Sequence, residues 1–238
     1  MPAPVLVLQH ELECPPGHVG EGLLRAGLEL DVRHPYVGQP LPGDLAGHAA
    51  LLVLGGHMGA DDDADFPWLS QTKALVREAA TAGIPALGIC LGHQLAAAAL
   101  GGVVALNPRG YRRGVLDMGW TAAVGSDPVL AGCGPMAVQW HHDLVVVDPP
   151  GTTVLGRATT GELLAARFAP TVWGVQCHPE ADAGIVAVWA RGDRATAVAS
   201  HDDVAVVDEA LRQVRDHEIT LAKTWSPLAR DFAAVVLG

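Results

Sequence analysis

Cys90 stands between two glycines in "GICLG", residues 88–92, where a short apolar run gives way to an alanine-rich one. His178 and Glu180 flank Pro179 in "GVQCHPE", residues 174–180. A thiol, an imidazole and a carboxylate are the residue types of nucleophilic acyl transfer. The thiol attacks a carbonyl carbon, the imidazole takes and returns its proton, and the carboxylate orients the imidazole. Proline disfavours the helical region for His178 and fixes its own φ, so an extended H-P-E segment sends both side chains to one side.

The glycine spacing says how such a thiol would be presented. A sharp strand-to-helix turn crowds the backbone, and glycines two residues before and after its apex relieve the clash. Cys90 at the apex would stand at the C-terminal edge of a sheet, where open α/β sheets bind ligands. The helix that follows would aim its N-terminus at the sulfur, which favours thiolate over thiol. Taken alone, each piece has a plainer reading. Cys90 could be a buried structural cysteine, and H-P-E an exposed turn with Glu180 at a helix start. A third piece is "LVLGGHMGA", residues 52–60, where a strand runs into two glycines. Backbone N–H groups of Gly56 and Leu91 could stabilise the oxyanion that thiol attack creates. An ordinary strand-terminating turn fits that stretch as well.

The elements that must hold these groups alternate along the chain. "VLVL" (5–8), "ALLVL" (50–54) and "PALGI" (85–89) predict buried strands. Residues 18–30, 68–82 and 91–100 predict helices, the second stopped by Gly83 and Pro85 and the third by Gly101-Gly102. Such alternation predicts an α/β fold, an open, mostly parallel sheet flanked by helices. Beyond 102 the segments 115–124, 136–147, 153–157, 163–168 and 172–176 read as short strands, so the sheet becomes mixed. From about 181 three helical stretches follow: "AGIVAVWAR", "DVAVVDEALRQVRDHEITLAKTW" and "PLARDFAAVVL". The prediction is one domain over 1–238, with a catalytic core at about 5–182 and a helical C-terminal appendage at about 183–238.

These motifs, in this order, resemble those of class I (triad-type) glutamine amidotransferases, and more narrowly stand-alone proteins similar to the glutaminase domain of GMP synthase. The matching pieces are "GGHMGADDDADFPWL", "GIPALGICLGHQLAAAALGG", "DMGW", "QWHHD" and "GVQCHPE", within residues 5 to 182. The resemblance implies a flavodoxin-like three-layer fold. It implies Cys90 as nucleophile, His178 as base and acid, Glu180 as orienting carboxylate, and Gly56 with Leu91 as oxyanion hole. It implies L-glutamine as substrate, hydrolysed through a glutamyl thioester, with ammonia passed to a separate synthetase or ligase. Gln94, one helical turn past Cys90, would touch the glutamine. His141, His142 and Asp143 would meet its amino-acid end. His142 stands where the family tends to have glycine, His57 where proline is usual, and Cys177 where phenylalanine is usual. Cys177 reads as packing.

Composition bounds the alternatives. Half of the 238 residues are apolar, 17% are charged and the formal net charge is −11, which describes a core-forming chain. No basic patch exceeds Arg112-Arg113, so nucleic acid is not an expected partner, and Arg109, Arg112 and Arg113 read as a solvated face. Four dispersed cysteines without a C-x-x-C pair argue against a disulfide framework or zinc ribbon. No apolar stretch is long enough for a membrane span, and the N-terminus lacks a basic leader region, so the expected setting is the cytoplasm. No metal and no cofactor is expected. Adjacent His141 and His142 on a strand would face apart, and "DDDAD" (61–65) lacks calcium-loop spacing. The tryptophans after Trp68 read as core. A γ-glutamyl hydrolase with the same triad remains a second reading. A non-catalytic binding protein of the same fold is a third, which a complete set of triad candidates argues against. The sequence leaves a homo-oligomer open.

Overall fold

The computed structural model describes residues 3–200 and 203–238. Strands β1 (Val5–Leu8), β2 (Leu30–Arg33), β3 (Ala50–Val53) and β4 (Ala86–Ile89) alternate with helices α1 (Gly17–Arg25), α2 (Trp68–Ala82) and α3 (Leu91–Ala99). Strands β5 (Val103–Leu106), β6 (Arg112–Asp117), β7 (Met136–His141), β8 (Asp143–Val147), β9 (Thr153–Arg157), β10 (Leu163–Ala169) and β11 (Val172–Val175) follow. The chain closes with α4 (Ala183–Ser200) and α5 (Val204–Leu237).

Seven strands form the main sheet in the order β2-β1-β3-β4-β11-β10-β9. The five strands from β2 to β11 pair in parallel, and β10 and β9 continue antiparallel. The sheet is thus mostly parallel with a mixed edge, as the strand runs predict. Side chains of a strand point alternately to its two faces. Val5, Val7, Leu52 and Leu54 pack on the face that also holds Leu23 of α1 and Phe232 of α5. Leu6, Leu8, Leu51 and Val53 pack on the other, with Leu75 of α2 and Leu95 of α3. Both faces are covered, which is why these strands read as unbroken apolar runs.

Several boundaries differ from the sequence reading. The helix predicted over 18–30 ends at Arg25, because Gly27 adopts φ +89° and turns the chain into β2, a strand the apolar pattern does not show. Strand β5 is a further addition, and its residues are largely exposed. The predicted strand 115–124 begins earlier, at Arg112, and gives way to a 3₁₀ turn at Ala122–Ser126. The predicted strand 136–147 breaks at His142: β7 pairs with β6 and β8 with β5, two small ribbons beside the main sheet. The last two helical stretches are one helix that runs through Pro227. Proline removes the hydrogen bond to the carbonyl four residues back. Here the Ser226 hydroxyl donates to that carbonyl, Lys223 O, at 2.9 Å. Among the described residues no helix is long and apolar enough to cross a membrane.

Candidate active site

The turn from β4 into α3 has the geometry the glycines suggest. Cys90 has φ +53° and ψ −107°, and among the described residues no other non-glycine has positive φ. Such a conformation costs energy and persists only where neighbours enforce it. Three neighbours do so. Cys90 N–H donates to Val175 O of β11 at 2.9 Å. A Cβ on Gly88 would lie 2.3 Å from Gly92 O, and one on Gly92 would lie 2.1 Å from Val53 O. Neither position tolerates a side chain. The thiol therefore sits at the C-terminal end of a central strand and at the start of α3.

Strand β11 is the neighbour of β4, and the chain leaves it directly into His178. His178 N–H donates to Val138 O of β7 at 2.8 Å, fixing the backbone. Its Nδ1 lies 2.7 Å from Glu180 Oε1, and its Nε2 lies 3.4 Å from Trp140 O. His178 and Glu180 are 3% and 1% exposed. Burial lowers the His178 pKa, but Cys90 and the Glu180 carboxylate outweigh it and hold the imidazole well above its ordinary value. Gly55 leaves the space between thiol and imidazole clear. A Cβ there would meet His178 Cε1 at 3.3 Å and Cys90 Cβ at 3.7 Å. The structure thus brings Cys90, His178 and Glu180 together.

Gly56 and Leu91 are adjacent, since a Cβ on Gly56 would lie 3.0 Å from Leu91 Cδ2. Among the described residues neither backbone N–H donates to another protein group. Gln94 is buried, and its amide donates to Asp143 O at 3.0 Å and Gln176 Oε1 at 3.3 Å. His141 is buried between Gln139 Oε1 at 3.0 Å and Asp143 O at 3.3 Å. Burial, then the charge of His178, lowers its pKa to about 3, so it is neutral. His142 stacks on Tyr111 with centroids 4.3 Å apart. Asp143 has no side-chain hydrogen bond or ion pair among the described residues. Burial raises its pKa, His142 opposes that, and Asp62 adds to it.

One open cleft of about 580 Å³ takes in Gly56, Cys90, Gln94, His141, His142, Asp143 and His178. Several residues around the thiol and the cleft escaped the sequence reading. Gln176 Nε2 lies 3.7 Å from Cys90 Sγ, two residues before His178 in a motif already singled out. Trp140 and Trp189 line the cleft while also belonging to the core, Trp140 within it and Trp189 packed against it. Their partners come from distant elements: Trp140 donates to Asp193 at 3.0 Å, and Trp189 to Glu13 O at 2.8 Å. Two of the three arginines also depart from a solvated face, while Arg109 stays exposed. Arg113 pairs with Asp193 at 2.7 Å, and Arg112 and Arg109 lie 3.6 and 3.9 Å from the buried Glu162. Cys177 is fully buried, with its pKa pushed well up by burial and then by Glu180. The Cys14 thiol, also at the cleft, donates to Glu11 at 3.1 Å. Among the described residues no cluster of His, Cys, Asp and Glu has a metal-binding arrangement.

Known proteins share both pattern and fold. The family model "Glutamine amidotransferase class-I" matches residues 21–185. A subunit of the glutamine-hydrolysing GMP synthase of Saccharolobus solfataricus is 41% identical over 104 residues, which are 41% of this chain and 51% of that protein. The protein of the same name in Halobacterium salinarum is 34% identical over 129 residues, 51% of this chain and 69% of that protein. The match spans about half the length of four of these subunits and 18–19% of the longer GMP synthases it also resembles. A glutamine amidotransferase of Thermotoga maritima superposes with a TM-score of 0.83 at 22% identity, over 98% of this chain and 99% of that one. A glutamine amido transferase of Methylobacillus flagellatus gives 0.82 at 26% identity, over 98% and 95%. With the family match running from α1 through the elbow to the His-Pro-Glu turn, this chain belongs to the class I glutamine amidotransferases.

Proposed function

We propose that the protein is a glutaminase that hydrolyses the side-chain amide of L-glutamine and delivers ammonia to a separate synthetase. The observation that carries this reading is Cys90, held at positive φ in the same cleft as the buried His178–Glu180 pair. The sulfur of Cys90, its proton carried by His178, attacks the amide carbon. The C–N bond of the resulting tetrahedral species breaks as His178 returns the proton to nitrogen, and ammonia leaves. A glutamyl thioester remains on Cys90. His178 then takes a proton from water, the hydroxide adds to the thioester carbon, and the C–S bond breaks as His178 returns that proton to sulfur, giving glutamate and the free thiol. Gly56 and Leu91 N–H groups act on the oxyanion in both halves. Glu180 holds the imidazole and balances its positive charge. Gln94, His141, His142 and Asp143 form the end of the pocket that takes the amino acid. Relatives named as one subunit of a glutamine-hydrolysing GMP synthase support a synthetase as the acceptor of ammonia.

Intact-mass labelling with a glutamine-mimicking diazo-ketone tests this. One adduct on the wild type, suppressed by glutamine and absent from Cys90→Ser, is expected. No adduct on an accessible thiol would reject free glutamine as the substrate. The breadth of the cleft favours one second reading, a γ-glutamyl hydrolase with the same triad and a larger leaving amine. A panel of γ-glutamyl amides decides between them, since larger amides outcompete glutamine only under the second.

A further inference from the structure

The family match stops at residue 185, yet the cleft does not. Helix α4 crosses its edge and contributes Trp189 and Asp193, four residues apart and so on one helical face. Two anchors hold that face. Trp189 N–H donates to Glu13 O at 2.8 Å, in the loop after β1. Asp193 accepts from Trp140 Nε1 at 3.0 Å and Arg113 Nε at 2.7 Å, on β7 and β6. Between these anchors the indole lies against the imidazole of His178, with centroids 4.5 Å apart and planes tilted by 52°.

His178 needs such a contact. Glu180 at Nδ1 and Trp140 O at Nε2 hold the ring by its two nitrogens, and a contact on the ring's face adds a restraint of a different direction. Gly55 leaves space beside Cε1, which supplies no restraint there. The aromatic partner touching His178 is Trp189. An aromatic face also attracts a cation, and the imidazole becomes one whenever it carries the proton of Cys90.

We propose that Trp189 is a positioning residue for His178: α4 lays its indole on the imidazole, fixes the ring between Glu180 and Cys90, and stabilises its protonated form. This rests on the triad reading above. It also gives the C-terminal helices a part in the chemistry, through contact with the base rather than with the substrate.

Two measurements on Trp189→Leu and Trp189→Phe test it. The first is the pH dependence of iodoacetamide alkylation at Cys90, followed by peptide mass, which needs no glutamine. The second is steady-state glutamine hydrolysis. In Trp189→Leu the pH of half-maximal alkylation rises by about half a unit, and kcat falls about tenfold while KM changes little. Trp189→Phe keeps the ring face and recovers most of both. Should the leucine variant fail to fold, Trp189→Met fills the space without a ring and gives the same comparison. A folded leucine or methionine variant with the wild-type profile and kcat overturns the proposal. So does a phenylalanine variant as impaired as leucine, because the N–H tether would then be the active part. A wild type whose Cys90 alkylates like a free thiol would instead bring down the triad reading itself, and this proposal with it.

Discussion

His178 and His93 are both buried, both lie within reach of the β4–α3 elbow, and have their pKa values pushed in opposite directions. His93 is on α3, three residues past Cys90, and faces into the sheet against Gly174 and Phe168. Burial lowers its pKa to about 4, with a small opposing effect from the Gly174 backbone, and neither ring nitrogen has a hydrogen-bond partner within ordinary geometry. His178 is as deeply buried, but it faces a thiol and a carboxylate and is pushed upward. Burial alone makes a histidine a neutral packing residue. Burial beside a thiol and a carboxylate raises its pKa instead, which suits it to hold a proton. The side of the sheet edge on which each ring lies decides which it becomes.

The strongest way to break this contrast is to remove the thiol. Cys90→Ala should reduce glutamine hydrolysis by a factor on the order of 10³ or more. It should also lower the His178 titration midpoint, followed by NMR of its imidazole, because one of the two groups that raise it is gone. Glu180→Gln comes next. It keeps the shape but removes the charge, and kcat should fall by about 10²- to 10⁴-fold with His178 moving toward the behaviour of His93. An unchanged kcat would mean that Glu180 is not the orienting group.

Gly92→Ala attacks the frame that separates the two rings. Its Cβ would press on Val53 O at 2.1 Å, so loss of about 3 kcal/mol or more, read by chemical denaturation, is expected.

The smallest effect concerns pH. His10 and His93, at about 4, and His141, at about 3, all titrate below the ordinary value of 6.5 when folded. The unfolded chain therefore binds more protons between about pH 6.5 and 4, and stability falls as pH drops through that window. Each fully buried ring contributes up to ~3 kcal/mol of this loss at pH 4. His178 acts in the other direction: its contribution is complete below 6.5 and is lost as pH rises through its raised folded value. His93→Leu should flatten the acid limb of a Tm–pH curve while leaving hydrolysis within about threefold of wild type. An acid limb that stays as steep would show that His93 is not a source of it.

Much of this was legible in the residues themselves. Gly88, Cys90 and Gly92 announce a crowded turn, because steric conflict between a Cβ and the next turn of backbone is local and depends only on residue type. The apolar runs 5–8, 50–54 and 85–89 announce buried strands, because strands covered on both faces have no polar side to show. The H-P-E segment announces a paired imidazole and carboxylate for the same local reason. Trp189, Trp140 and Asp193 carry no such mark. Their spacing along the chain is that of ordinary helix and strand residues, and they reach the cleft only because α4 folds back against the loop after β1 and against β6 and β7. The split of the 136–147 run at His142 has the same origin, since two different partner strands claim its halves. The sequence alone determined the geometry of the elbow, where the deciding contacts lie within a few residues. The tertiary structure decided which walls enclose it and which buried histidine stands beside the thiol, because those depend on groups far apart in the chain meeting across the sheet edge.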